Sequence, residues 1–164
     1  MRDERVPQPG DGDELQILTG WISFHRSALA AKCAGLTDDQ LVAASAPPSP
    51  LSLLGLVRHM TEMERVYAGW ALSADGPRGF VYCSEDNEDA DIVGIGPDDV
   101  AESLRAWRAE CAATDDLLTG RAAGETTWNE NSVRWNLVKL VQEYARHNGH
   151  ADLIRERIDG QVGE

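Results

Sequence analysis

A glutamate and a histidine near the end of the chain have the spacing of a metal-binding pair. Glu143 and His147 are four residues apart, in a segment whose apolar periodicity predicts a helix over about residues 133–158. Residues four apart project from the same helix face and can hold one ion between them. His59 lies in a second predicted helix, residues 51–72. Three nitrogen and oxygen ligands would leave a metal with open positions, as in catalytic sites.

The residues around this pair indicate that its side chains point inward. Leu140 precedes Glu143 on the same predicted face, and Ala151 follows His147 by four residues. A buried carboxylate needs a partner, because an unpaired buried charge costs much free energy. Spacing alone leaves two explanations open. Either a metal is bound between the helices of a bundle, where such ligands are often found, or the polar residues are hydrogen-bonded at the edge of the core.

Other ionisable residues near these positions are weaker candidates. His150 lies one turn beyond the pair, and it could be a fourth ligand, a group that supports the ligands or a substrate contact. Glu62 and Glu64 flank the turn that carries His59. His25 has no partner at ligand spacing and is expected to be partly exposed.

Two arginines of the last predicted helix are candidate substrate contacts. Arg134 and Arg146 carry planar guanidinium groups, which suit bidentate binding of a carboxylate. Surface ion pairs are the alternative explanation. The chain has no Ser-His-Asp order, phosphate-binding glycine loop or dinucleotide-binding fingerprint. The prediction of function therefore depends on the metal-ligand pattern.

The charge of the chain restricts its partners. It has 164 residues and a formal net charge of -13. Such acidity argues against nucleic acid and against anionic membrane surfaces, since both bind mainly lysine and arginine. No apolar run approaches the roughly 20 residues that span a bilayer, and the first residues do not resemble a signal peptide.

The cysteines favour a reducing compartment. Cys33, Cys83 and Cys111 are odd in number, widely separated and without a CxxC pair, which suits the cytoplasm better than a disulfide scaffold. Cys33 and Cys111 lie in predicted helices and are expected to be small core residues. We predict a cytoplasmic protein.

The periodicity of apolar residues predicts an all-α fold, a four-helix bundle. Residues 1–12 are expected to be a disordered tail, and residues 13–160 a single domain. A Gly-rich, acidic stretch, residues 73–96, is expected to be a solvated crossover connection between the second and third long helices; whether it is a lid is left open. The predicted long helices span residues 13–34, 51–72, 97–118 and 133–158.

Two segments resemble the DinB-like superfamily. They are residues 53–65, which include His59, and residues 143–153. The closest similarity is to an actinobacterial branch of unknown function that is related to the mycothiol-dependent transferases. Residues 107–111 and 132–135 support it, and the resemblance covers nearly the whole chain after residue 13.

The resemblance implies a metal site in a four-helix bundle. Members of the superfamily hold a divalent metal, often zinc or nickel, with one ligand on the second helix and two on the last. Mycothiol-dependent maleylpyruvate isomerases use His, Glu and His. Carried over by position, the implied ligands are His59, Glu143 and His147, and His150 replaces a glutamine that often follows the final ligand.

The resemblance also implies a reaction. It is a divalent-metal-dependent S-transferase or isomerase reaction, in which a metal-bound thiolate of the mycothiol or bacillithiol type attacks a small electrophile. The alternatives are a non-catalytic metal-binding, stress-related DinB-like protein, and a structural bundle whose polar centre is only hydrogen-bonded. A homodimer is allowed, although no sequence feature marks an interface.

Overall fold

Five α-helices make up most of the regular structure in the computed structural model, which describes residues 5–163. No strand forms among these residues, so the predicted all-α bundle is confirmed. A π-helical segment, Arg65–Trp70, continues α3, and a 3-10 turn, Pro97–Asp99, precedes α4. The helices are α1 (Glu14–Cys33), α2 (Asp38–Leu41), α3 (Leu53–Glu64), α4 (Val100–Leu118) and α5 (Val133–Asp159).

Serine caps fix the starts of the two helices that carry the candidate ligands. Ser52 Oγ accepts a hydrogen bond from the Gly55 amide at 3.0 Å at the start of α3. Ser132 Oγ accepts one from the Trp135 amide at 3.2 Å at the start of α5. Such caps satisfy amides that have no partner within the helix. Gly160 ends α5, and its φ of 80° is one that glycine adopts without strain.

The core lies between α1, α3, α4 and α5, with α1 packed mainly against α5 and α3 packed against both α4 and α5. The inward face predicted for the last helix is confirmed. Burying each leucine stabilises the fold by about 1.5–3 kcal/mol. The residues that α3 and α5 bury completely include Leu53, Leu56, Val57, Met60, Leu137, Leu140, Tyr144 and Ala151.

A buried polar network joins four helices through Glu64. Its carboxylate accepts two hydrogen bonds from Arg26, at 2.7 and 2.8 Å. Thr114 Oγ1 and the Tyr144 hydroxyl each donate to it at 2.7 Å, and Trp107 Nε1 donates to Tyr144 at 2.9 Å. Glu64, a weaker metal candidate on sequence grounds, is therefore held by hydrogen bonds within the core.

The connection between α3 and α4 is fastened to α3. The buried Glu62 carboxylate accepts hydrogen bonds from the amides of Val81, Tyr82 and Cys83, at 3.0, 2.6 and 3.2 Å. Glu62 therefore anchors the segment and is not directed at the candidate ligands. The expectation of a solvated connection is wrong for part of this stretch, since Asp91 is only 5% exposed. That the segment crosses the bundle stays a prediction.

Residues 5–12 precede α1 and have no helix. The Val6 amide donates to Ser27 Oγ at 3.2 Å. The first four residues of the predicted disordered tail lie outside the described part of the chain, and disorder of the tail stays a prediction. Among residues 5–163, no helix is both long enough and apolar enough to cross a membrane.

Candidate metal centre

The structure brings the three residues of the predicted ligand set together. His59 extends from α3, and Glu143 and His147 extend from α5, so that one ligand atom from each lies within 4.8 Å of the others. Their side chains are 20%, 14% and 13% exposed. The centre is thus mostly enclosed and can still be reached from solvent.

Helix packing explains this convergence. His147 lies one turn after Glu143 on α5, and its Nε2 is 3.4 Å from Glu143 Oε2. The His59 ring faces the His147 ring, with 4.5 Å between the centroids. Met60 and Tyr144, the chain neighbours of His59 and Glu143, are completely buried. Their packing in the core fixes the orientation of the two helices.

Sequence reasoning missed a fourth residue of this centre. His59 Nδ1 lies 2.9 Å from Asp91 Oδ2. A carboxylate at Nδ1 fixes the tautomer of the imidazole and leaves Nε2 free for a metal. Burial alone would raise the pKa of Asp91, but the hydrogen bond to His59 and the charge of its ring outweigh it, and the pKa is lowered. Asp91 therefore stays ionised at neutral pH.

His147 has a comparable neighbour. His150 Nδ1 lies 3.3 Å from His147 Nδ1, on the opposite ring nitrogen from the one that faces Glu143. Burial, followed by the positive charges of His59, His150 and Arg146, lowers the pKa of His147 to about 4. At neutral pH the imidazole is uncharged, which is the form that binds a metal.

The other charged and basic candidates lie in different surroundings. Arg134 Nη2 bonds to Glu14 Oε2 at 2.8 Å, and both side chains are about half exposed. Arg134 lies nine residues before Glu143, or about 13 Å along the helix axis. Its pair with Glu14 is therefore the surface ion pair that was the alternative explanation for this arginine. Arg146 is exposed beside the candidate ligands. His25 is partly exposed, as predicted, and its carbonyl accepts a hydrogen bond from Asn148 at 3.0 Å.

A cavity of about 700 Å³ opens beside His59, between α3 and the connecting segment. Met63, Phe80, Cys83 and Ile92 are among its lining residues. Its volume falls within the roughly 300–1,000 Å³ of typical small-molecule sites. The arrangement therefore combines a candidate metal centre with space for a ligand.

The three cysteines are poor nucleophiles in this structure. Burial raises the pKa of Cys33 to about 12 and raises that of Cys111 further, with the Glu64 charge adding to the effect. Burial also raises the pKa of Cys83 to about 11. Only the thiolate is strongly nucleophilic, so all three thiols are mostly inactive at neutral pH. Cys33 is buried in the core, as predicted.

A comparison with known protein families tests the resemblance to the mycothiol-dependent transferases. A family model described as mycothiol S-transferase matches residues 17–160, which include every candidate ligand. No curated protein and no solved structure matches the chain. The match spans well over half of the sequence and confirms the predicted relationship. The chain therefore belongs to the mycothiol S-transferase family.

Proposed function

We propose that the protein is a divalent-metal-dependent S-transferase that joins a mycothiol-type thiol to small electrophiles. One observation carries this proposal beyond family membership: the ligand atoms of His59, Glu143 and His147 lie within 4.8 Å of one another. The three free cysteines support the cytoplasm as the compartment, because reduced thiols persist there.

The donor set fits a divalent cation such as zinc. Two imidazoles and one carboxylate are ligand types that zinc and nickel accept. His59 and His147 each have Nδ1 engaged, one by Asp91 and the other by His150. This arrangement leaves Nε2 of each ring available for a metal and supports a role for His150 behind the ligands. When bound, the cation favours the thiolate form of a thiol, which is the reactive nucleophile.

The protein's own residues adjust the charge of the centre and provide space for the electrophile. Glu143 supplies one negative charge to the centre, which moderates the charge of any cation held there. The cavity beside His59 offers the electrophile a position next to the centre. Because the protein's cysteines have raised pKa values, the attacking sulfur comes from the cosubstrate.

A transferase assay tests this function. With mycothiol and chlorodinitrobenzene, the thiol sulfur bonds to the ring carbon, chloride leaves and the thiol proton passes to solvent. We expect zinc- or nickel-loaded protein to accelerate this reaction, and metal-depleted protein to react at the uncatalysed rate. Glu143→Gln should also fall to the uncatalysed rate, whereas Glu156→Gln, an exposed change on the same helix, should not.

Two results of the assay would contradict the proposal. Acceleration that survives both metal depletion and Glu143→Gln would show that the centre does not act in the reaction. Stoichiometric metal with no acceleration of any thiol and electrophile pair would instead support the non-catalytic metal-binding alternative.

A further inference from the structure

Residues 79–92, which we call the docked segment, contact α3 near both of their ends. Near the first end, the Glu62 carboxylate accepts hydrogen bonds from the amides of residues 81–83, at 3.0, 2.6 and 3.2 Å. Near the second end, Arg58 Nη2 donates to the Ala90 carbonyl at 2.9 Å. In both places a side chain of α3 binds the backbone of the segment. The segment is therefore held in one position along the helix.

Backbone hydrogen bonds connect the two ends of the docked segment to each other. The Ser84 amide donates to the Asn87 carbonyl at 3.1 Å, and the Asn87 amide donates to the Ser84 carbonyl at 3.2 Å. The Ile92 amide donates to the Asp89 carbonyl at 2.9 Å. Contiguous motifs that are joined in this way tend to open as one cooperative unit. We therefore expect the segment to detach from α3 as a whole.

Asp91 connects the docked segment to the metal centre. Its Oδ2 lies 2.9 Å from Nδ1 of His59, and the residue is buried. The side chain that orients a metal ligand thus belongs to a segment with no regular secondary structure of its own. Its position depends on the docking of residues 79–92 against α3.

We infer that metal binding and docking of this segment strengthen each other through Asp91. The inference rests on the metal centre of the proposed function and does not depend on the transfer reaction. A cation held by the other ring nitrogen of His59 makes the Nδ1–H group a stronger donor to the Asp91 carboxylate. Such a carboxylate strengthens metal binding by about 10- to 100-fold. Because coupling between two equilibria is reciprocal, the metal strengthens docking by the same factor.

The coupling has a consequence for the cavity beside His59. The docked segment supplies Phe80, Cys83 and Ile92 to its lining, and α3 supplies Met63. A metal that holds the segment against α3 therefore also holds one wall of this cavity in place. Metal loading completes the cavity before an electrophile enters it.

Hydrogen exchange, followed by NMR with and without zinc, tests the coupling in the absence of thiol and electrophile. The amides of residues 81–83 exchange when the segment detaches from Glu62. We expect zinc to slow their exchange by about 10- to 100-fold. The Thr127 amide, which donates to the Asn131 carbonyl at 2.8 Å in the loop before α5, is the internal control and should keep its rate.

Three variants separate the coupling from the local contacts. Asp91→Asn should remove most of the slowing at saturating zinc, because the charged acceptor behind His59 is lost. Glu62→Gln replaces one acceptor oxygen with a donor, so the amides of residues 81–83 should exchange faster both with and without zinc. The ratio of the two rates should stay as in the wild type. Asp89→Asn, an exposed change in the same segment, should behave as the wild type.

The outcomes distinguish this inference from the proposed function. Equal exchange with and without zinc, in wild type that binds zinc stoichiometrically, would overturn the coupling and leave the transferase proposal standing. Undiminished slowing in Asp91→Asn would also overturn the coupling, since the metal would then act by another route. Slowing that depends on Asp91, in a protein that transfers no thiol, would support the coupling and contradict the transferase proposal. Failure of reconstituted wild type to bind zinc would overturn both.

Discussion

At the residue scale, Asp91 determines which nitrogen of His59 is available to a metal. Its carboxylate occupies Nδ1 at 2.9 Å, so Nε2 is the ring nitrogen that remains for a metal. The sequence offered no signal for this role, because Asp91 is one of several acidic residues in a stretch without periodicity. The i, i+4 pair on α5 was predictable because it is local. The contact between Asp91 and His59 spans 32 residues and depends on the folded connection.

Asp91→Asn should weaken metal binding and leave the fold unchanged. Removing the carboxylate that orients a metal-bound histidine lowers metal affinity by about 10- to 100-fold. Competition with a chelator of known affinity measures the change. Asp89→Asn, an exposed neighbour, is the matched control and should bind as the wild type does. Equal affinities for the Asp91 variant and the wild type would show that Asp91 does not orient a ligand.

The cysteines should be slow to alkylate in the folded protein. Their pKa values are raised, to about 11 for Cys83 and about 12 for Cys33, so thiolate is scarce at pH 7.5 and increases only as the pH rises toward those values. We expect iodoacetamide to modify each of them more than about tenfold more slowly than it modifies an ordinary thiol. Mass spectrometry of peptides gives the rates. Rapid modification of Cys83 at neutral pH would make it a candidate nucleophile.

At the element scale, the Glu64 network ties α1, α4 and α5 to the end of α3. Its partners lie 38, 50 and 80 residues away in sequence, so no local pattern predicts them. The sequence did predict a single helix over residues 51–72, and the structure continues α3 through the π-helical Arg65–Trp70. Periodicity identifies a helix, but it does not identify which polar residues pair across a core.

Arg26→Met should destabilise the fold strongly. It leaves the buried Glu64 carboxylate without its cation, and breaking a buried ion pair in this way costs about 3–5 kcal/mol. Arg105→Met, which removes an exposed pair with Glu102, should cost less than about 1 kcal/mol. Urea unfolding gives both values. Similar losses of stability in the two variants would mean that the network contributes little.

At the scale of the whole molecule, the bundle and its two ligand-bearing helices were predictable from apolar periodicity and the family resemblance. The structure of the connection between α3 and α4 was not predictable, because its acidic residues look alike in sequence and differ only in what they contact. Glu85 and Glu88 are exposed, whereas Asp91 is buried. The metal centre and the cavity beside it thus combine parts that sequence patterns identify with one segment that only the folded chain defines.

The most direct test of the central claim is the metal content of the untagged protein. Wild type, His59→Ala, His147→Ala and the control His25→Ala are reconstituted with zinc or nickel, checked for helical content and measured by elemental analysis. We predict near-stoichiometric metal in the wild type and in His25→Ala, and its loss from both ligand variants. Absence of metal from folded, reconstituted wild type, or full retention in the ligand variants, would contradict a metal centre formed by His59, Glu143 and His147.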